Sequence, residues 1–315
     1  MAQTATWDII VVGGAYTDYV VRGEKLPTIG ETVVGQKFLI VPGGKGANQA
    51  VAAARLGATR VAFMGRVGSD ARGDEIVRQF QAEHVDTHYI TRDQSIPTGI
   101  SLIQANEQGR KQMMVALGAS HALTVDDVYR ASDAITSTKI LLTQLEVPLD
   151  ATRAAIRLAH QSGAKIIFDP APVSNVPGEL FPMVDVIKPD TKEAEVLTGL
   201  HVTDRDSARP AAHHLMKQGV KAVAVQAGSQ GDLLVWQGGE RWLPRIPVKA
   251  VDATGAGDTF AAALAVALAE GRSLEEAGPF ASAAAALKTT KLGARPALPG
   301  RQEVEALLSR IRDSS

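Results

Sequence analysis

The chain has 315 residues, of which 45% are hydrophobic, 4% aromatic and 21% charged, and its formal net charge is −1. This length and composition can build one large α/β domain, whereas the near-neutral charge and scarce aromatic side chains argue against nucleic-acid or membrane-surface binding. The absence of cysteine excludes disulfides and thiolate metal sites, and the sequence contains no signal-peptide pattern or membrane-spanning run. These features predict a cytoplasmic protein.

Apolar runs and helix-forming segments alternate along most of the chain. The predicted strands are residues 8–12, 61–65, 140–145, 165–169, 185–188 and 220–226. The predicted helices are residues 49–56, 74–84, 149–160, 191–197, 207–218 and 259–270. This alternation is typical of a doubly wound α/β fold, in which a mostly parallel sheet is flanked by helices. No repeat or linker interrupts it, so residues 1–315 are expected to form a single domain.

Two stretches, about 20–41 and 98–115, depart from this alternation. The first contains β-prone pieces such as residues 31–34, separated by glycine and proline. The second has β-prone runs on either side of Asn-Glu-Gln-Gly at 106–109, which indicates a hairpin. We expect both stretches to form one small β-sheet outside the main sheet, acting as a lid or a dimer surface.

Polar residues follow the ends of several predicted strands. Because the carboxyl ends of parallel strands meet at one edge of a sheet, where ligands bind, these residues are expected to line one site. The set consists of Asp18, Glu146, Asp169, Asp190, Gln226 and Asp258.

The stretch Asp252-Ala-Thr-Gly-Ala-Gly-Asp258 precedes a long Ala/Leu helix. Its glycines let the backbone approach a ligand, and the helix N-terminus offers free amides, so the turn predicts an anion site. Asp258 has two interpretations, a helix N-cap or a catalytic base beside the anion. The gathering of polar strand-end residues favours the base.

A second glycine turn spans residues 42–48 and also opens a helix. Its spacing does not match a Walker motif, and Asn48 could cap the helix or bind a ligand hydroxyl. No HExxH or Gly-x-Ser-x-Gly pattern supports a zinc enzyme or a serine hydrolase.

Four motifs together resemble the ribokinase family of PfkB-type carbohydrate kinases. They are Gly43-Gly-Lys-Gly-Ala-Asn-Gln-Ala50, Gln144-Leu-Glu146, Pro189-Asp-Thr-Lys-Glu193 and Asp252-Ala-Thr-Gly-Ala-Gly-Asp258, and the resemblance runs from Val12 to about Pro299. It implies a doubly wound domain whose β lid closes on a sugar and forms a homodimer. It also implies ATP, Mg²⁺ and a K⁺ activator.

The resemblance assigns roles to matching positions. It makes Asp258 the catalytic base and the amides of Gly255, Ala256 and Gly257 an anion hole. Residues matched to sugar binding are Tyr16, Asp18, Gly44, Lys45, Asn48 and Glu146. Residues matched to nucleotide binding are Asp190, Gln226, Gly228, Ser229, Gly231, Gly257 and Ser282. Glu193 is matched to magnesium through water. Residues matched to the potassium loop are Asp252, Thr254, Lys288, Lys291, Gly293 and Ala297, with carbonyl groups as the ligands, so that both lysine side chains can point outward.

Four positions depart from the family pattern, namely Tyr16, Ser120, Asp190 and Ala253, and two of them bear directly on the site. Tyr16 stands where the family usually has an asparagine that contacts the sugar, and Asp190 replaces the asparagine of an Asn-x-x-Glu motif. The resemblance implies phosphorylation of the 5-hydroxyl of D-ribose by MgATP. The alternatives are a kinase for another sugar or a nucleoside, and a non-catalytic sugar-binding protein.

Overall fold

The computed structural model describes residues 6–173 and 175–313, which form two β-sheets and the helices around the larger sheet. The strands are β1 (Trp7–Val12), β2 (Tyr16–Arg22), β3 (Lys37–Gly43), β4 (Val61–Gly68), β5 (Val85–Asp86), β6 (Ile90–Asp93), β7 (Thr98–Ala105), β8 (Lys111–Gly118), β9 (Thr138–Thr143), β10 (Lys165–Phe168), β11 (Val186–Ile187), β12 (Ala222–Ala227), β13 (Gly231–Trp236) and β14 (Gly239–Pro244). The α-helices are α1 (Lys45–Arg55), α2 (Ala71–Ala82), α3 (Val125–Arg130), α4 (Ser132–Thr136), α5 (Leu149–Ser162), α6 (Thr191–Thr198), α7 (Arg205–Lys217), α8 (Ala256–Ala269), α9 (Leu274–Thr289) and α10 (Arg301–Asp313).

The larger sheet has the strand order β14-β13-β12-β11-β10-β9-β1-β4-β5, and β6 also pairs with β4. The strands from β12 to β5 run parallel, which confirms the predicted mostly parallel sheet. The sequence analysis missed β13 and β14, which extend the edge as an antiparallel meander. Their connection contains Gly238 with φ of 92°, a conformation suited to a tight turn.

Both faces of the larger sheet are covered by helices. Alternate side chains of β1 point to opposite faces. Ile9 and Val11 belong to the core formed with α1, α8 and α9, whereas Ile10 and Val12 belong to the core formed with α5 and α7. The fold is therefore doubly wound, as predicted. No helix in the described part of the chain is long and apolar enough to cross a membrane.

The smaller sheet has the order β3-β2-β7-β8, and we call it the lid. The predicted hairpin forms, with Gly109 at φ of 77° in its turn. The bounds of the other stretch differ from prediction: its first strand begins at Tyr16, and the β-prone residues 31–34 lie in a loop rather than a strand. The strands β2 and β3 pair directly along their whole length, which leaves residues 23–36 as their connection.

The two helices that follow the glycine turns at 42–48 and 252–258 begin earlier than the sequence predicted. Helix α1 starts at Lys45 rather than Gln49, and α8 starts at Ala256 rather than Thr259. The residues at their N-caps, Gly44 and Gly255, both have positive φ. Small residues that looked like part of a turn are therefore already helical, and the helix ends lie closer to the sheet edge.

Candidate functional site

The turn at Gly13 and Gly14, which follows β1, packs against the glycine turn at 42–48 that opens α1. A Cβ on Gly46 would lie 2.8 Å from the Cα of Gly13, and one on Gly44 would lie 2.6 Å from the carbonyl oxygen of Gly14. Any side chain at these positions would force the backbones apart. The glycines therefore bring the N-terminus of α1 directly against the end of β1.

Glu146 follows β9 and closes the space between these turns. One carboxylate oxygen accepts a hydrogen bond from the Tyr16 hydroxyl at 2.8 Å, and the other accepts one from the backbone amide of Lys45 at 2.7 Å. Burial raises the pKa of Glu146 to about 7, although the Lys45 ammonium and the bond from Tyr16 oppose the shift. The structure thus joins three of the residues matched to sugar binding.

Tyr16 points into this site rather than into the lid. Its ring is buried and its hydroxyl bonds to Glu146. Burial and the charge of Glu146 raise the pKa of the phenol, so the hydroxyl acts as a donor here. A phenol that reaches this carboxylate occupies part of the room that a ligand would use.

Asp258 is not a helix cap. The N-cap of α8 is Gly255, and Asp258 is the third residue of the helix, so the cap interpretation is wrong. Its Oδ2 accepts a hydrogen bond from Asn48 Nδ2 at 3.0 Å, and its Oδ1 lies 3.6 Å from Lys45 Nζ. Among the described residues, Oδ1 is buried without a hydrogen-bond partner. This oxygen is free to accept a proton or a hydrogen bond from a ligand.

A buried carboxylate that was given no role, Asp169, organises the cations of the site. Its Oδ2 accepts a hydrogen bond from Gln49 at 2.9 Å and lies 3.7 Å from Lys45 Nζ, and its Oδ1 lies 3.5 Å from Lys188 Nζ. Burial opposes a charged lysine, but the carboxylates Asp169 and Asp258 outweigh it and raise the pKa of Lys45. Two ammonium groups therefore stand beside the start of α8.

The three amides that were predicted to form an anion hole differ in their hydrogen bonding. The amide of Ala256 donates to the carbonyl oxygen of Ala253 at 3.1 Å, so this amide is engaged within the turn. First-turn amides such as that of Gly257 have no acceptor within the helix. A Cβ on Gly257 would lie 3.0 Å from Lys188 Nζ, which places this ammonium against the same helix end. Lys188 immediately precedes a recognised motif, and only this proximity reveals it.

Asp18 enters the site from the lid. It lies on β2, buried, and accepts a hydrogen bond from Ser101 of the neighbouring strand β7. Burial raises the pKa of Asp18, although the bond from Ser101 and the charge of Arg295 oppose the shift. A cleft between the lid and the turn before α8 is lined by Asp18, Lys111, Thr254 and other residues. The sequence analysis missed Ser101 and Arg295.

Arg295 is a buried cation below this cleft. Its guanidinium donates to the carbonyl oxygen of Gly43 at 2.9 Å and lies over the ring of Phe80. Burial lowers the pKa of Arg295 to about 10, although the charge of Asp18 opposes the shift. Arg295 thereby ties the segment before α10 to the turn that opens α1.

Residues matched to nucleotide binding lie on the other side of α8. Gln226 is the penultimate residue of β12 and lines a pocket together with Lys188, Gly257 and Arg245. Gly228 and Ser229 are in the turn after β12, Gly231 begins β13, and Ser282 is a buried residue of α9. Gly257 thus lines the pocket and belongs to the turn at the start of α8, whereas Ser282 is not among the residues that line this pocket.

Asp190 and Glu193 cap helix α6 reciprocally. The Asp190 side chain accepts from the amide of Glu193 at 2.8 Å, and the Glu193 side chain accepts from the amide of Asp190 at 2.7 Å. Burial and the charge of Asp169 raise the pKa of Glu193 to about 6. The described residues contain no cluster of three or more acidic, histidine or cysteine side chains that could hold a metal. A divalent ion here would need ligands from a bound phosphate and water.

The loop matched to potassium binding is organised by Asp252. Its Oδ1 accepts from the amide of Thr254 at 2.9 Å, and its Oδ2 accepts from the amide of Gly293 at 2.9 Å. Lys291 points outward and bonds to Glu303, as predicted. Ala297 lies in a short 3₁₀ turn after this loop.

Lys288 does not use the freedom to point outward that the loop was expected to allow. Its side chain is fully buried, and Nζ donates to the main-chain carbonyl oxygen of Asp252 at 2.7 Å. Burial lowers the pKa of Lys288 to about 8, although the charge of Asp252 opposes the shift. The buried cation therefore stands at the position for which the resemblance implied an ion from solution, and the loop does not fit potassium as it stands.

Comparisons with known proteins agree with this geometry. The family model described as pfkB family carbohydrate kinase matches residues 7–301. The chain belongs to this family. Members of the family are carbohydrate kinases, which transfer a phosphoryl group to an alcohol. The ribokinase of Haemophilus influenzae is 38% identical over 295 residues, which cover 94% of this chain and 96% of that protein.

Two solved structures show the same fold. The ribokinase of Thermotoga maritima superposes with a TM-score of 0.88 at 35% identity, covering 96% of this chain and 99% of that chain. The structure of Arabidopsis thaliana ribokinase complexed with ribose and ATP superposes with a TM-score of 0.87 at 33% identity, covering 97% of this chain and 99% of that chain. The chain therefore shares its fold with ribokinases, and one of these similar structures is a complex with ribose and ATP.

Proposed function

We propose that this carbohydrate kinase is a ribokinase, which transfers a phosphoryl group from ATP to the 5-hydroxyl of D-ribose. The observation that carries the proposal is the buried Oδ1 of Asp258 in the first turn of α8, which has no hydrogen-bond partner among the described residues. A base at this place needs a hydroxyl to act on, and the helix end needs an anion. The choice of D-ribose as the sugar rests on the relatives named ribokinase.

The chemistry is an in-line displacement. The sugar oxygen forms a bond to the γ-phosphorus as the bond to the leaving ADP oxygen breaks, and Asp258 takes the hydroxyl proton. The amide of Gly257 and the ammonium groups of Lys45 and Lys188 stabilise the negative charge on the transferring group. The protein contributes mainly by positioning and by fixed charges, which is what phosphoryl transfer requires.

Sugar hydroxyls would bind between the lid, the turn at Gly13 and Gly14, and the glycine turn at 42–48. Asp18 and Glu146 offer carboxylate acceptors, and Asn48 has a buried Oδ1 without a partner among the described residues. The amide nitrogen of Asn48 already bonds to Asp258. A sugar that bonds to this residue would therefore be held within reach of the base.

ATP would lie along the pocket beside Gln226, with its γ-phosphate at the start of α8. Mg²⁺ would neutralise phosphate charge and orient the phosphates, and Glu193 would bind it through water. The carboxylate of Asp190 is used as the cap of α6. Its charge is therefore partly compensated by an amide, which reduces its repulsion of phosphate.

A homodimer through the lid is the expected assembly. Residues paired across the lid point to the same face, and the outward face carries Val21, Phe38, Leu102 and Met114. Phe38 is 58% exposed and Met114 is 75% exposed. An apolar face of this kind marks an interaction surface. We expect a dimer by light scattering at micromolar concentration, and a monomer would contradict this assembly.

The substrate is tested by a coupled ADP-release assay with D-ribose, other pentoses, ketohexoses and nucleosides. We expect D-ribose to give the highest kcat/KM. A clear preference for another sugar would replace the ribokinase assignment by a different carbohydrate kinase. No ADP release with any acceptor would favour a non-catalytic sugar-binding protein. Because ATP is an intracellular substrate, we also propose a cytoplasmic location and one catalytic domain formed by residues 1–315.

A further inference from the structure

The loop matched to a monovalent-cation site carries its own cation. Lys288 is in the last turn of α9, and its ammonium group donates to the carbonyl oxygen of Asp252 at 2.7 Å. None of its side chain is exposed. The ammonium group therefore already occupies one oxygen of the turn that would otherwise bind an ion from solution.

The surroundings that favour a potassium ion favour this ammonium equally. Lysine is rarely buried unless its charge is compensated and hydrogen-bonded. Here the carbonyl group of Asp252 is the acceptor, the carboxylate of Asp252 supplies negative charge, and the C-terminal end of α9 adds the negative end of a helix dipole. Potassium and ammonium groups are both monovalent cations that bind oxygen.

A second cation would find this turn less favourable. Both carboxylate oxygens of Asp252 already accept hydrogen bonds, from the amides of Thr254 and Gly293. A potassium ion at the same turn would also be repelled by the Lys288 ammonium. We propose that the ammonium group of Lys288 takes the place of the monovalent cation, so that this kinase works without potassium. The proposal rests on the proposed kinase function and concerns how its anion-binding turn is held.

Lys288 is a positioning residue, because it acts through the turn and not on the substrate. It holds the carbonyl group of Asp252, whose carboxylate in turn holds Thr254. The next carbonyl group, that of Ala253, accepts the amide of Ala256 at the start of α8. A cation at Lys288 therefore fixes the peptide units that lead into the anion-binding helix end.

The first test uses the wild-type protein. ADP release with its preferred sugar is measured in potassium, sodium and tetramethylammonium chloride at equal ionic strength. We expect the same rate in all three salts, because the cation is part of the chain. A rate that rises with potassium specifically would overturn the proposal.

Three variants separate the charge from the space that it fills. Lys288→Ala is expected to be slower by about 10²-fold in tetramethylammonium, the order of effect seen when one transition-state donor is lost, and potassium should restore it. Lys288→Met fills the space without a charge and should be slow in every salt. Lys217→Ala removes an exposed lysine from the last turn of α7 and should match the wild type.

A thermal measurement tests the inference without catalysis. Potassium, compared with tetramethylammonium, should leave the Tm of the wild type unchanged and raise the Tm of Lys288→Ala by about 2–4 °C, as expected for an ion that binds only the folded state. If no sugar is phosphorylated, the proposed function fails while this comparison still decides the inference. Lys288→Ala that is slow, not rescued and not stabilised by potassium would show a purely structural lysine and overturn the proposal. If that variant does not fold, the wild-type salt comparison decides.

Discussion

Two helices begin at glycine turns beside the same site, and they use their first amides differently. At α1, with Gly44 as N-cap, the amide of Lys45 donates to the carboxylate of Glu146. At α8, with Gly255 as N-cap, no side chain in the described part of the chain caps the helix, and Oδ1 of Asp258 has no hydrogen-bond partner there. A helix end that the protein's own carboxylate fills is closed to an anion, so we propose that phosphate binds at α8 and that sugar hydroxyls bind near α1.

The difference teaches that a glycine turn before a small-residue helix does not by itself define a phosphate site. Both turns have this pattern, and what separates them is Glu146, which reaches α1 from the end of a distant strand. The occupant of a helix N-terminus is a tertiary feature. The predictions below test each side of this comparison.

The largest effect on activity is expected from Asp258 in the first turn of α8. Asp258→Asn should preserve the fold, because an amide of the same shape can still bond to Asn48, but it should lower kcat by about 10²–10⁴-fold through loss of the base. The measurement is steady-state ADP release with ribose, with nucleotide binding followed separately. A variant that kept wild-type kcat would show that Asp258 is not the base.

A matched control for this change is Asp150→Asn. Asp150 is an exposed acidic residue in the first turn of α5, so like Asp258 it lies in the first turn of a helix, but it is outside the site. Its loss should cost stability of about 0.3–1 kcal/mol through the helix dipole and leave kcat unchanged. An equal fall in kcat for both variants would mean that the Asp258 effect is not chemical.

The carboxylate of Glu146, which accepts the first amide of α1, should make the free energy of unfolding depend on pH. Burial raises the pKa of Glu146 to about 7 from 4.5, so between these pH values the folded protein binds more protons than the unfolded chain. Stability therefore falls as pH rises from 4.5 to 7, by up to about 3 kcal/mol from this group. For Glu146→Gln, the free energy of unfolding measured with urea at each pH should lack this part of the pH dependence.

The control for the pH experiment is a glutamate outside the site. Glu107 is exposed at the tip of the lid hairpin, and Glu107→Gln should give a pH profile parallel to that of the wild type. Glu193, whose pKa is also raised by burial, contributes to all three proteins and cancels in the differences. Parallel profiles for wild type and Glu146→Gln would contradict the assignment.

The sequence predicted the parallel sheet and most of its helices because apolar runs of strand length alternate with helix formers. It missed β13 and β14, and it placed the start of α1 four residues too late. The residues matched to sugar binding came from motifs and Asp169 came from its place at a strand end, whereas Lys188 and Arg295 were not predicted. Their roles depend on distances across the sheet edge, such as that from Lys188 to Asp169, which no local pattern encodes.

The orientation of the Lys288 side chain could not be predicted from the sequence for a related reason. A lysine near a helix end is usually exposed, and local propensity alone predicts that for Lys288 and Lys291 alike. Only the packing of α9 against the turn before α8 makes one side chain buried and leaves the other in solvent. Tertiary context overrides the residue's usual preference.

A smaller effect should separate the backbone roles of the two turns. Gly46→Ala would place a Cβ 2.8 Å from the Cα of Gly13, so it should cost about 1–3 kcal/mol of folding stability through overpacking. Gly257→Ala meets only the flexible tip of Lys188 at 3.0 Å. It should leave stability nearly unchanged and lower kcat by about 10–10²-fold, because the phosphoryl position is displaced.

The measurements are urea unfolding and ADP release for both variants. Gly178→Ala is the control, since a Cβ there has no neighbour within 4 Å. If Gly257→Ala loses stability and Gly46→Ala loses only activity, the comparison between the helix ends is reversed. If both behave like Gly178→Ala, neither turn is as tightly packed as the geometry indicates.

The smallest effect concerns Tyr16, which bonds to the carboxylate that closes α1. Tyr16→Phe removes the hydroxyl donor to Glu146 and should lower kcat/KM for ribose by about 2–10-fold, the worth of one hydrogen bond, mainly through KM. Tyr16→Asn also opens space and should change the preference among pentoses. Tyr19→Phe is the control, because Tyr19 lies on the same strand and faces the opposite side of the lid. If Tyr16→Asn changes neither affinity nor preference, Tyr16 supports Glu146 without contacting the sugar.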